Sequence, residues 1–294
     1  EKTSAASKAV ANAVESNWNL VLAVARNGLK LAATFPNLSK KITARIANIL
    51  PSGSFPQLNE YVVAKGFPRN AIRQEGSAYL FLPSCMNEVF GDPSIKQLVE
   101  VSNMYGLSVE VPSGIGSFCC GTPFSSKGLE AAFSRRRNKN HALLSRANKQ
   151  TVVIDGSSCH QTLSDQSDFK VVELSEFIVE ELLDKVPVKK TEKLVIHPTC
   201  SGEKTGSNLA MKKIAEAIAD EVIVPVDWKC CGFAGDRGLL VPELTASATK
   251  LESFEIEKLE AEFVSNNQPC QMGLSSGTSK QYTSIVDAWL RAAS

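Results

Sequence analysis

Phe118-Cys119-Cys120-Gly121 returns 111 residues later as Lys229-Cys230-Cys231-Gly232. After each pair, the same interval of 38 residues leads to another cysteine, Cys159 in one case and Cys270 in the other. A further cysteine precedes each pair, Cys85 and Cys200, with an offset of 115 instead of 111, so only the first interval differs. The eight cysteines thus form two sets of four: Cys85, Cys119, Cys120, Cys159 and Cys200, Cys230, Cys231, Cys270. Such a coincidence marks an internal duplication whose cysteines carry the duplicated property.

Short apolar runs and amphipathic stretches alternate around each set. In the first repeat the pattern predicts strands at residues 78–82, 108–111 and 151–155, with helices near 94–104 and 127–149. In the second it predicts strands at 194–197, 222–226 (interrupted by Pro225) and 263–266, with helices near 208–219 and 244–259. β-branched strands alternating with helices imply parallel strands joined by crossovers, hence an α/β fold of two tandem doubly wound units. Every cysteine follows a strand, and open parallel sheets gather ligands beyond the carboxyl ends of their strands. Four sulfurs distant in sequence are therefore expected at one edge of each sheet.

Composition narrows the function. The chain has 294 residues, 43% hydrophobic and 21% charged, which suits a globular protein of about two domains. A formal net charge of +1 argues against a general nucleic-acid binder, which needs a cationic excess for phosphate contacts. No run of 18 apolar residues is present and no secretory signal is evident, so a cytoplasmic location is expected, with the inner face of the membrane as a further option. The chain starts with Glu1, not Met, which suggests a processed product or a piece of a longer polypeptide.

Eight cysteines admit disulfides, metal sites or nucleophiles. Disulfides fit poorly, because the chain is long enough to build cores without them and a bond between neighbours such as Cys119 and Cys120 is strained. Thiol catalysis by an adjacent pair leaves the symmetric use of all eight unexplained. Four thiolates per repeat match the ligand number of a [4Fe-4S] cluster and equally of a structural zinc site. Gly121 and Gly232 let the backbone come close to such a group. His197, three residues before Cys200, and His160, directly after Cys159, are candidates for hydrogen bonds to sulfur or for substitute ligation.

At these residues the chain resembles a known family. Pro83-Ser84-Cys85, Phe118-Cys119-Cys120-Gly121, Ser157-Ser158-Cys159, His197-Pro198-Thr199-Cys200, Lys229-Cys230-Cys231-Gly232 and Pro269-Cys270-Gln271-Met272-Gly273 look like the cysteine-rich CCG family of heterodisulfide reductase and glycolate oxidase iron-sulfur subunits, over about residues 77–292. The run from Cys230 to Gly238, continuing through Thr249, resembles the carboxyl-terminal part of bacterial FAD-linked D-lactate dehydrogenases. The resemblance implies an iron-sulfur region that takes electrons from a flavin-binding dehydrogenase domain or subunit, beside a ferredoxin-like segment, and passes them toward a quinone or cytochrome. It implies one or two [4Fe-4S] clusters on the eight cysteines, zinc in one site as an option, and FAD on a domain or partner outside this chain. The alternative is a zinc-stabilised four-cysteine scaffold that docks oxidoreductase subunits without carrying electrons. The heterodisulfide reductase branch ends its motif Cys-x-x-Cys, whereas Gly156 and Asn267 hold the earlier position here, which argues against five-thiolate, disulfide-cleaving clusters.

The remaining organisation is read from helical patterning and breakers. Residues 1–50 form a helical docking segment, with Pro36 dividing the amphipathic part from Trp18 to Leu50 into two helices. Its basic residues also allow peripheral membrane contact, with docking on the flavin domain preferred. Residues 51–76 read as a linker, 77–188 as the first CCG domain and 189–294 as the second. Arg135, Arg136, Arg137 and Lys139 lie on one predicted helix, read as a solvated face in preference to a steering patch for an acidic partner.

Overall fold

The structure, a computed structural model, describes residues 4–50, 53–62, 76–90, 94–112, 118–145, 150–165 and 169–294. It divides into two compact units, Glu1–Asn27 with Lys65–Leu174, and Gly28–Ala64 with Ser175–Ser294.

The first unit holds β1 (Tyr79–Leu82), β2 (Val109–Glu110), β3 (Thr151–Ile154) and β4 (Val171–Glu173), all parallel in the order β2-β1-β3-β4. Tyr79 stands opposite both Val109 and Thr151, and Val152 opposite Val171. The central strands are buried on both faces, so Leu80-Phe81-Leu82 and Val152-Val153-Ile154 are continuous apolar runs without alternation. The second unit repeats this topology with β5 (Thr191–Ile196), β6 (Ala219–Ile223), β7 (Glu262–Ser265) and β8 (Tyr282–Ser284) in the order β6-β5-β7-β8. In both sheets the chain reverses its direction of travel between the first and third strands, the place where open α/β sheets form a crevice. The expected fold of two tandem doubly wound parallel sheets, preceded by helices, is the observed one.

Several elements differ from the sequence reading. The short strands β4 and β8 were not anticipated. Each has three residues and runs directly into a helix, Leu174–Glu181 and Ile285–Ala292, so no alternation of period two can register. Strand β6 starts three residues before the expected 222 and ends before Pro225, which has no N–H to give a ladder. As an edge strand it accepts the exposed Asp220 and Glu221. The helix expected at 244–259 is two helices, Pro242–Ala248 and Lys250–Ile256, parted at Thr249, whose hydroxyl bonds back to the Thr245 carbonyl at 2.9 Å. The helix expected at 127–149 is Glu130–Leu144; residues 146–149 lie outside the described residues. The helix Ser94–Met104 has the expected bounds.

The amino-terminal segment forms three helices, Ala5–Ser16, Trp18–Thr34 and Pro36–Ile49, the last beginning at Pro36, where the absent N–H costs nothing. In the first unit, Val14 and Trp18 pack on a cluster formed by Cys119, Phe124 and Ala132, with the Trp18 ring edge-on to Phe124 at 5.7 Å. Residues 53–62, the described part of the expected linker, are tied to the second unit. The Gln57 N–H donates to the Leu239 carbonyl at 2.6 Å and the Asn59 amide to the Ser276 hydroxyl at 3.0 Å. No helix among the described residues is long and apolar enough to cross a membrane.

The basic run on Glu130–Leu144 is not the solvated face expected for it. Glu15, 1% exposed, receives Arg135 at 2.9 Å, Arg136 at 3.0 Å and Lys139 at 2.7 Å. Arg136 is itself buried and also donates to the Glu15 carbonyl at 2.8 Å. Burial raises the Glu15 carboxyl, but Lys139, Arg135 and Arg136 more than reverse this, leaving it below the ordinary range. A depressed carboxylate stabilises the fold above its unfolded pKa and loses that contribution as pH falls through the folded value. Glu15→Ala leaves the Arg136 charge buried without its partner and is expected to destabilise the first unit by about 3–5 kcal/mol, read from denaturant unfolding at neutral pH.

Candidate metal centres

All eight cysteines lie at the carboxyl ends of the strands. Cys85 is the first residue of the helix Cys85–Phe90 after β1, and Cys159 lies in the first turn of Ser157–Ser164 after β3, so these two flank the reversal point of the first sheet. Cys200 opens Cys200–Thr205 after β5 and Cys270 lies in the first turn of Gln268–Thr278 after β7, in the same relation. The vicinal pairs come from the loops beyond the edge strands β2 and β6. These short helices after the strands were not read from the sequence.

A matching tie draws the first and third strand ends together in each unit. The Ser84 N–H donates to Asp155 Oδ1 at 2.8 Å, and the Thr199 hydroxyl donates to Asn266 Oδ1 at 3.0 Å. Ser84 and Thr199 are separated by 115 residues, Asp155 and Asn266 by 111, the offsets of the cysteines themselves. Sequence reasoning missed these four residues, although the shared offset marks them. Burial pushes the Asp155 carboxyl up to about 6, partly opposed by the Ser84 backbone N–H.

The vicinal pairs are fixed from below. The Asn140 amide donates to the Cys119 carbonyl at 3.0 Å and to that of Cys120 at 3.4 Å. Gly121 has φ +102°, and a Cβ there would stand 2.9 Å from the Phe133 ring. Gly232 has φ +69° and is tighter still, because its Cβ would stand 2.7 Å from the backbone oxygen of Leu244, which cannot turn away.

Within each set the sulfurs touch in series. In the first, Cys120 Sγ lies 2.9 Å from Cys159 Sγ and 3.1 Å from the Thr122 hydroxyl, while Cys119 is within hydrogen-bonding reach of both Cys120 and Cys85. In the second, Cys231 Sγ lies 3.2 Å from Cys270 Sγ, and Cys230 reaches both Cys231 and Cys200. Asn267, where the heterodisulfide reductase branch has its extra cysteine, instead directs its amide at Cys270 Sγ, 3.7 Å away. Among the described residues, no three His, Cys, Asp or Glu side chains surround a point in metal-coordinating geometry. With Zn–S bonds of about 2.3 Å, tetrahedral ligand sulfurs stand about 3.8 Å apart, wider than the 2.9 and 3.2 Å seen here, and all eight cysteines are free thiols.

The electrostatics follow from that crowding. Cys119 and Cys159 beside Cys120, with Thr122 adding to them, hold its thiol well below the ordinary range. Cys119 is pushed well up by its bonds to Cys120 and Cys85 and by burial, and Cys159 by its bond to Cys120 and by burial. In the second set burial and Cys230 raise Cys200 to about 11; Cys230 is raised by Cys231 and by burial. Cys231 is pulled down by Cys230 but pushed further up by Cys270 and burial. One thiolate is stabilised in the first set, and further ionisation there needs a cation. A soft cation held by four thiolates supplies that compensation and displaces the protons, so the donor set fits a four-thiolate metal or iron-sulfur group.

The histidines face elsewhere. His160 Nε2 donates to the Val171 carbonyl at 3.2 Å, and His197 Nδ1 lies 2.9 Å from Glu252 Oε1. The two sets also differ in cover. Cys119, Cys120 and Cys159 are buried, whereas Cys200 and Cys230 are exposed.

The fold and the two thiol sets define a duplicated cysteine-rich domain. The sequence matches the CCG cysteine-rich domain over residues 79–164 and 194–275, each match containing one set of four cysteines, and the chain belongs to that family. It is similar to Lactate utilization protein A of Oceanobacillus iheyensis, 25% identical over 218 residues that cover 66% of this chain and 86% of that protein. It is likewise similar to Lactate utilization protein A 1 of Bacillus mycoides, 22% identical over 202 residues, covering 62% of this chain and 81% of that one. Among solved structures, an aspartate racemase homologue from Pyrococcus horikoshii is similar at 14% identity and a TM-score of 0.30, covering 73% of this chain and 96% of that one, a likeness too loose to bear on function.

Asp155 offers a direct test of the strand tie. An acid whose pKa is raised by folding adds stability at low pH that is lost as pH rises through the folded value, here about 6. In metal-free protein, Asp155→Asn, the residue type at Asn266, is expected to remove that loss and to gain about 1–2 kcal/mol above the transition, measured by denaturant midpoints near pH 5 and pH 8.

Proposed function

We propose that the chain is the iron-sulfur electron-transfer region of a flavin-linked dehydrogenase for D-lactate or another 2-hydroxy acid, passing electrons from flavin toward a quinone or cytochrome. The observation that carries this reading is the delivery, twice over, of four thiols from three strand ends to one sheet edge, with their sulfurs in contact. Membership of the CCG family and the names of the lactate utilization relatives support it.

Cys85, Cys119, Cys120 and Cys159 would hold one [4Fe-4S] cluster, and Cys200, Cys230, Cys231 and Cys270 the other. A cluster bound by four thiolates supplies reversible one-electron transfer at a potential set by its hydrogen bonds and exposure. Around the first set, the Thr122 hydroxyl lies 3.1 Å from Cys120 Sγ, Asn140 fixes the Cys119 and Cys120 carbonyls, and Phe124 with Val14 and Trp18 keeps water away. Around the second, Asn267 donates to Cys270, and the exposure of Cys200 and Cys230 leaves that set open to a redox partner. Hydride abstraction from the hydroxy acid belongs to a flavin domain or subunit carrying FAD, and a ferredoxin-like segment would stand between the two. The proposed location is cytoplasmic, at most touching the inner membrane face.

Iron, acid-labile sulfide and zinc per chain, measured with EPR after dithionite on protein purified without oxygen, test this reading. About four iron and four sulfide per site with a reduced-cluster signal are expected. Stoichiometric zinc without sulfide would make the chain a four-cysteine docking scaffold instead. In the full enzyme, Cys120→Ser is expected to lower iron content and electron transfer to quinone while flavin reduction by substrate survives.

A further inference from the structure

Beneath the second cysteine set lies a buried polar triad that the first repeat lacks. His197, 1% exposed, directly follows β5; its Nδ1 lies 2.9 Å from Oε1 of Glu252, 2% exposed, and the Tyr282 hydroxyl donates to the same oxygen at 3.0 Å. The offsets of the duplication place Leu82, His141 and Val171 at the equivalent positions. Leu82 is fully buried, Val171 is half-buried, and His141 is exposed with its ring against Phe169, so the first repeat has two aliphatic side chains and an exposed imidazole where the second buries an imidazole, a phenol and an acid. Burying an ionisable pair carries a desolvation cost that aliphatic packing does not.

The triad touches all three segments that deliver the second set. His197 precedes Cys200 by three residues. Trp228, two residues before Cys230, meets the His197 ring edge-on at 6.0 Å. At the end of β7, which leads to Cys270, the Ser265 hydroxyl donates to the His197 carbonyl at 3.1 Å, and the His197 N–H donates to the Val264 carbonyl at 2.9 Å. The ionisable groups facing the pair are Tyr282 and, through Tyr282, Glu255. Burial and Glu252 push the Tyr282 hydroxyl above its ordinary range, which keeps it a donor to the Glu252 carboxylate.

We infer that His197, Glu252 and Tyr282 make the second cysteine site a proton-coupled electron carrier. This rests on the electron-transfer reading. One electron arriving from the reduced-flavin side places negative charge beside a pair in low dielectric, and one proton from solvent enters the His197–Glu252 hydrogen bond to balance it. When the electron leaves for the acceptor, the proton returns to solvent. The triad acts as a set of positioning residues, since none of its atoms is a sulfur ligand.

Potentiometric titration followed by EPR, on anaerobically purified protein at several pH values across roughly pH 6–9, tests the inference. The potential of the second site is expected to fall as pH rises. Glu252→Gln, which keeps the shape and removes the charge, is expected to abolish the slope at unchanged iron and sulfide content. Tyr282→Phe, which removes only the hydroxyl, is expected to shift the pH midpoint of the slope and provides a second probe should the Glu252 variant fail to fold. A second-site potential that stays flat at full iron content, or a slope that survives in both variants, would overturn the inference and leave the relay standing. A second site without iron and sulfide would overturn both, and the metal analysis tells these outcomes apart.

Discussion

Crowded thiols cannot all be charged, and the arrangement of each unit answers that constraint. Four sulfurs brought to one sheet edge, as the close approach of Cys120 to Cys159 and of Cys231 to Cys270 shows, either keep most of their protons or exchange them for a cation. The parallel sheet makes the crowding possible. Its first and third strands diverge at a reversal point, their following helices open on Cys85 and Cys159 or on Cys200 and Cys270, and a polar tie from Ser84 to Asp155 or from Thr199 to Asn266 keeps the two strand ends from splaying.

The two copies have moved apart around this shared frame. The first is sealed from within its own unit, where the helix Ala5–Ser16 is anchored through Glu15 to Arg135, Arg136 and Lys139, and Val14 and Trp18 close over the Cys119 region. The second keeps Cys200 and Cys230 in solvent and packs a histidine, a glutamate and a tyrosine behind them. Cover and polarity are the two means by which a protein sets the behaviour of a redox or metal centre. Here one duplicate uses the first and its sibling the second.

Much of this was legible in the sequence, because the cysteine offsets and the long periodic elements are local or repeated signals. The helix Ser94–Met104 and the strands flanking each first cysteine emerge from patterning alone. What escaped is short or long-range. Strands β4 and β8 are too brief for alternation and merge into helices that begin at the next residue. The break at Thr249 depends on one hydroxyl returning to a carbonyl four residues back, a bond that helical periodicity does not encode. The fate of the basic run depended on Glu15, 120 residues earlier, whose burial only the tertiary structure shows. Asp155 and Asn266 were visible as a repeat but carry no residue-type signal of a strand tie.

The unequal first interval has a mechanical consequence. Between the vicinal pair and the last cysteine the chain must leave the sheet edge, pass through a helix and return along the third strand, and both ends of that excursion hold sulfur. It serves as a ruler, and its 38 residues are the same in both copies. The stretch from the first cysteine to the pair also has sulfur at each end, but its return leg is an edge strand with a neighbour on one side only. The four-residue discrepancy between offsets of 115 and 111 fell there. Length drifted where the sheet has a free margin and stayed fixed where the chain is measured at both ends.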